Sequence, residues 1–173
     1  MNENKINNEA VKNYFTKLQT DILNAVEIVD GKNFLVDSWQ RSEGGGGTTC
    51  ILENGNIFER AGIGFSHVVG SQLPKSATDA HPEITDSNWE ATGVSLVFHP
   101  KNPYIPTVHM NVRFFVAKKN NKNIWWFGGG MDLTPYYGFD EDAIHFHKTI
   151  QTALNPFGED LYPEFKKNCD KYF

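Results

Sequence analysis

A chain of 173 residues and 19.6 kDa suits one domain that buries roughly 70% of its unfolded surface, so it requires no disulfide or metal staple. Sixteen Lys plus Arg against 21 Asp plus Glu give a net charge of −5, and 13% of the residues are aromatic. The first figure excludes a broad basic footprint for nucleic acid and the second excludes wholesale disorder. Cys50 and Cys169 lack CxxC spacing, as in a reducing compartment. With no apolar signal segment and no run of about 18 apolar residues, the expected setting is the cytoplasm, with no membrane span.

In chain order, Glu9 to Val29 predicts an amphipathic helix, because Val11, Phe15, Leu18, Ile22, Val26 and Val29 recur every three or four positions. Asp30-Gly31 stops it. Ser42-Glu43-Gly44-Gly45-Gly46-Gly47 is expected outside regular structure, given the backbone entropy of four glycines. Thr48 to Glu53 and Ile57 to Ala61 flank Asn54-Gly55, a hairpin signal. Ser71 to Ser87 reads as a surface loop. Val94 to His99 reads as a strand, followed by the proline-rich connection from Pro100 to Pro106. From Thr107 to Ala117 the pattern alternates with period two. A further strand, Ile124 to Phe127, is expected to end at Gly128-Gly129-Gly130, with a non-helical segment from Met131 to Gly138. A helix then starts after Asp140, its expected cap, and a second helical pattern opens at Tyr162-Pro163-Glu164. No linker or repeat divides residues 1–173, which are expected to form a single domain. The pattern ends on Tyr172-Phe173 with no stop signal, and the expectation is a truncated chain.

The strands on either side of the prolines carry the chemistry. An antiparallel pairing that sets His99 opposite His109, Val97 opposite Asn111 and Ser95 opposite Arg113 gathers Ser95, His99, His109, Asn111 and Arg113 on one face. Val94, Leu96, Phe98, Met110, Val112 and Phe114 take the other. Histidine, asparagine and arginine on one sheet face fit a site for an anionic, hydrogen-bonding small molecule. Arginine offers a planar fork for carboxylate, and histidine moves protons near neutral pH. The same groups could instead satisfy one another beneath a loop.

His145 and His147 lie on a helical pattern, where residues two apart diverge by about 200° and cannot share a metal. His147 falls on the inward side with Ala143, Ile144, Ile150 and Leu154, and His145 on the polar side. His99, His109 and His147 could make a three-imidazole metal site, or His147 could be a buried, hydrogen-bonded histidine. Neither glycine cluster has the spacing of a phosphate loop or a dinucleotide fingerprint. Trp125-Trp126 reads as packing, and both cysteines read as structural.

Four blocks carry a resemblance. They are Asp37-Ser38-Trp39-Gln40-Arg41 with its glycines, the segment from Ser95 to Arg113, Trp125-Trp126-Phe127-Gly128-Gly129-Gly130-Met131-Asp132-Leu133-Thr134-Pro135, and Pro156-Phe157-Gly158-Glu159-Asp160. Together they resemble the oxygen-dependent coproporphyrinogen III oxidases from about Val11 to Phe173. The resemblance implies an α+β fold, a large antiparallel sheet flanked by helices on both faces, of which this chain is the N-terminal portion. It implies a haem-biosynthesis enzyme that oxidatively decarboxylates two propionates of coproporphyrinogen III to vinyls, giving protoporphyrinogen IX. Molecular oxygen is the co-substrate, no organic cofactor is used, and the working unit is a cytoplasmic homodimer. Ser95, Asn111 and Arg113 match substrate-binding positions. His99, His109 and His147 match positions assigned to a divalent metal, and His109 also matches the proton donor. The alternatives are an inactive remnant or a tetrapyrrole-binding module that keeps the face without the chemistry.

Overall fold

The computed structural model describes residues 6–71, 73, 84, 85, 87–119 and 122–172. Helix α1, Asn8–Asp30, opens on Asn7, whose Oδ1 accepts the Ala10 N–H at 3.1 Å. It closes on Gly31, whose φ of 76° lets its N–H reach the Glu27 carbonyl at 2.8 Å. Strands β1 Leu35–Gln40, β2 Gly45–Glu53, β3 Phe58–Gly70, β4 Asn88–Pro100, β5 Thr107–Lys119 and β6 Lys122–Thr134 follow. They pair in sequence order, every neighbour antiparallel, as one 6-stranded open sheet. Helix α2, Asp140–Leu154, a 3-10 turn Asn155–Phe157 and helix α3, Leu161–Tyr172, complete the chain.

The architecture is α+β, as expected, but the described helices do not flank the sheet symmetrically. The apolar face of α1, with Phe15 and Val26, packs on Cys50, Leu52, Ile63, Phe65, Val94, Leu96, Phe114 and Val116. Helices α2 and α3 pack chiefly on each other and on the turn between them. Neither buries a residue fully, and Ile144, placed inward by the sequence pattern, is 64% exposed. The second sheet face is therefore open among the described residues.

Asp30 locks the end of α1 to the β2–β3 hairpin. It is 3% exposed, and its carboxylate accepts the backbone N–H groups of Asn56, Ile57 and Phe58, each at 2.9 Å. Burial pushes this carboxyl up, but the three N–H donors, with Lys101 nearby, outweigh it and hold the pKa below the ordinary value. A depressed folded pKa means the contribution to stability is full at neutral pH. It falls away as pH drops from about 4 through the folded value. Asp30→Ala is expected to cost about 2–4 kcal/mol at pH 7, by loss of three charge-assisted hydrogen bonds. The gap between the urea midpoints of wild type and variant should narrow as pH falls below about 4.

Several boundaries differ from expectation for identifiable reasons. Gly45 to Gly47 belong to β2 because Trp39 lies on Gly47, where a Cβ would strike both the indole and the Phe65 carbonyl. Tertiary packing overrides the glycine entropy cost. The hairpin at Asn54 is a four-residue connection from Asn54 to Ile57, closed by Asn54 N–H to the Glu59 carbonyl at 2.8 Å. β3 runs on to Gly70. β6 does not stop at Gly128 but continues to Thr134, since β5 offers an unbroken partner, with Arg113 opposite Gly128 and Asn111 opposite Gly130. Phe139, not Asp140, is the N-cap of α2, without a side-chain cap. Most of the expected loop from Ser71 to Ser87 lies outside the described residues; within it, Ile84 and Ser87 are buried. No described helix is long and apolar enough to cross a membrane.

Candidate functional site: the open face of the sheet

The pairing of β4 with β5 sets Ser95 opposite Asn111, Val97 opposite His109 and Gly93 opposite Arg113. This is two residues from the expected register, because the strands pair closer to the prolines. His99 meets Thr107 (Nδ1 to Oγ1, 3.3 Å), and the chain reverses through a turn in which the Asn102 carbonyl accepts the Ile105 N–H at 3.0 Å. A slip of two keeps every side chain on its face, whereas a slip of one would invert them all. Ser95, His99, His109, Asn111 and Arg113 therefore do share one surface, and it is the open one.

Its floor is made of small residues. The row across the sheet at Arg113 reads Trp39, Gly47, Ser66, Gly93, Arg113 and Gly128. The row at Asn111 reads Asp37, Thr49, Gly64, Ser95, Asn111 and Gly130. A Cβ on Gly130 would meet nothing within 4 Å, and one on Gly64 or Gly62 would touch only a single atom at 3.9 Å. Four strand spacings from β2 to β6 make the floor ~19 Å wide. Part of it is a groove of about 260 Å³ between Trp39, Thr49, Ser66, Ser95, Asn111 and Arg113. Trp39 is fixed there by its Nε1–H, which donates to Thr49 Oγ1 at 3.2 Å.

Three groups on this floor are poised for a ligand. Arg113 is exposed and makes no hydrogen bond or ion pair among the described residues; its Nε would lie 3.6 Å from a Cβ on Gly128. Asn111 Oδ1 is buried with no hydrogen-bond partner among the described residues, a costly arrangement unless a ligand supplies a donor. His109 Nδ1 lies 2.9 Å from Asp132 Oδ2. A carboxylate only accepts, so Nδ1 carries the proton and Nε2 is left to exchange one with a ligand. Among the described residues no group of three or more His, Cys, Asp or Glu is arranged to hold a metal. His99, His109 and His147 do not converge; His147 instead sets its ring against Tyr162, 6.3 Å between centroids.

Asp132 is not legible from local pattern, because the glycines from Gly128 to Gly130 read as the end of a strand. Running the strand on from the Lys119–Lys122 pair brings Asp132 opposite His109. A larger cavity of about 700 Å³ lies at the far end of β3 and β4, but its cations are already engaged. Arg41 pairs with Glu43 at 3.6 Å and Lys118 with Glu90 at 3.0 Å.

Compared with known families, residues 10–173 match the family described as coproporphyrinogen III oxidase. The chain belongs to that family. It thereby joins oxidoreductases of porphyrin and haem biosynthesis, whose substrate is coproporphyrinogen III. A wide floor of mostly small residues suits a broad macrocycle, and a guanidinium on β5 with no partner among the described residues suits carboxylate substituents.

Proposed function

We propose that the open face binds coproporphyrinogen III and that the chain converts two of its propionates to vinyls with molecular oxygen, without an organic cofactor. In each round a propionate carboxylate, one O2 and one proton give a vinyl, CO2 and H2O2. The carbon–carboxylate bond and one C–H bond of the ring-side methylene break, the C=C bond forms, and O2 takes up two electrons and, with that hydrogen and the added proton, becomes H2O2. The observation that carries this reading is a pair of groups on this floor that have no hydrogen-bond or ion-pair partner among the described residues: the Arg113 guanidinium and the buried Asn111 Oδ1. Arg113 takes a propionate, Asn111 Oδ1 accepts a hydrogen bond from the macrocycle, and Ser95 stands beside Asn111 to extend that contact. His109 is the acid–base group. Asp132 holds Nδ1–H, so Nε2 takes a proton from the substrate and returns it to the reduced oxygen.

The homodimer, the cytoplasmic location and a divalent cation at His99, His109 and His147 belong to the same proposal, on the family resemblance alone. The three imidazoles are not gathered in this structure, and no step above passes through a metal.

Oxygen uptake and vinyl product, followed with coproporphyrinogen III, test the reading. Arg113→Ala is expected to lower kcat/KM by about 30- to 1,000-fold, corresponding to about 2–4 kcal/mol for a partly desolvated charge pair. Unchanged kinetics would remove Arg113 from propionate recognition. Substrate binding without product in the unsubstituted protein would leave a tetrapyrrole-binding module.

A further inference from the structure

The open face is divided by chemistry along the strand direction. Beside the turn from β4 to β5 it carries Arg60, His99, Thr107, His109 and Asp132. Toward the opposite end, the rows just beyond Arg113 carry glycine, alanine or larger apolar residues on β3 to β6, with Ala117 fully buried, before the face ends at the paired positions Lys119 and Lys122. Val68, Ala91 and Ile124 lie there beside Trp89, Phe115 and Trp126.

The last three form a ladder across β4, β5 and β6. Trp89 and Phe115 stack with centroids 5.7 Å apart and planes at 15°, and Phe115 and Trp126 at 4.5 Å and 29°. Each is only partly buried. The ladder stands one row beyond Arg113 and Gly128, so it borders the floor on the side away from His109.

We infer that this aromatic ladder is a specificity subsite for the apolar substituents of the tetrapyrrole. It retains the half-processed macrocycle once a propionate has become a vinyl. The inference rests on the reading of the face given above. Two decarboxylations at one His109 proceed without loss of the intermediate only if the macrocycle remains after the first. The first, however, removes a carboxylate and with it one contact suited to Arg113. A vinyl placed against a guanidinium would displace water from the cation and return nothing, whereas against Trp126 and Phe115 it leaves water for an apolar, polarisable surface. The ladder thus offsets the lost ion pair, and the ionisable end of the face stays available to the next propionate.

Binding of two stable porphyrins, read by fluorescence anisotropy, tests this. Wild type should bind both the tetracarboxylate coproporphyrin III and the dicarboxylate, divinyl protoporphyrin IX. Trp126→Ala should weaken the divinyl ligand about 10-fold, the equivalent of two buried carbons, while changing the tetracarboxylate less than about 2-fold. Trp126→Phe should restore most of the loss. Phe115→Leu, which keeps volume and removes the stack, should reproduce the selectivity change if the alanine variant does not fold. In turnover, the monovinyl, tripropionate intermediate should escape into solution about 5-fold more often from Trp126→Ala. Equal weakening of both ligands, or no change in either, overturns the subsite while leaving the basin intact. Failure of wild type to bind either porphyrin overturns the basin reading, and the subsite with it.

Discussion

His109→Ala should lower kcat by about 10²–10⁴-fold and leave KM within a few-fold of wild type, since the imidazole acts on protons in the transition state rather than on the resting substrate. Asp132→Asn is the sharper experiment. An amide can present either its oxygen or its nitrogen to Nδ1, and in the second case the ring turns into the tautomer with the proton on Nε2. That tautomer cannot accept a proton from the substrate. A fall in kcat of about 10²-fold or more, with substrate affinity kept, is therefore expected. Stopped-flow binding alongside steady-state turnover separates the two quantities. A variant that lost affinity and rate in equal measure would make Asp132 a substrate contact instead of a partner of His109.

Gly130→Val and Gly64→Val should abolish detectable turnover while leaving the protein as stable as before, or more so. On an ordinary strand a β-branched residue is preferred to glycine by up to about 1 kcal/mol. A Cβ at Gly130 meets nothing within 4 Å, and one at Gly64 meets only the Ser95 carbonyl oxygen at 3.9 Å. The stability change and the functional change thus have opposite signs, which a purely structural role for these glycines would not produce. Gly47→Val supplies the contrast, because its side chain would collide with Trp39 and with the backbone of Phe65. It should lower the melting temperature as well as the activity. Retained turnover in Gly130→Val, at normal stability, would mean that the substrate does not lie on this floor.

The parts legible in the sequence were those governed by alternation. The segment from Thr107 to Ala117 announced both its strand and its two faces, and the buried set with Val94, Leu96, Phe114 and Val116 followed from period two alone. His109, Asn111 and Arg113 were correctly placed together even though the pairing partner was misjudged by two, because parity survives an even slip. What failed to show were features that depend on distant chain segments. Glycine reads locally as a strand breaker, yet at Gly47 it is required by the Trp39 indole from β1, at Gly45 and Gly46 by the closely placed His67 and Trp39 carbonyls, and at Gly128 to Gly130 it is carried by the β5 ladder. On the inward side of α2, His147, Ile150 and Leu154 are partly buried as expected, whereas Ala143 and Ile144 stay exposed for a related reason. An apolar stripe says that a helix has something to bury, not that its partner is among the described residues. Asp132 lies beyond a glycine run, so its pairing with His109 became visible only when that run proved to be extended backbone.

The regular alternation of β5 also decides which kinds of genetic change this site can absorb. Inserting or deleting one codon within the strand would exchange the two sides of everything beyond it, burying an arginine and an amide against α1 and sending Val112 and Phe114 to water. Such a lesion would damage core and chemistry together. The same alteration between Lys101 and Pro106 falls outside the ladder, where slack can be taken up by the connection alone. Natural and laboratory variation in length should collect at that tip and be purged from the strand beside it.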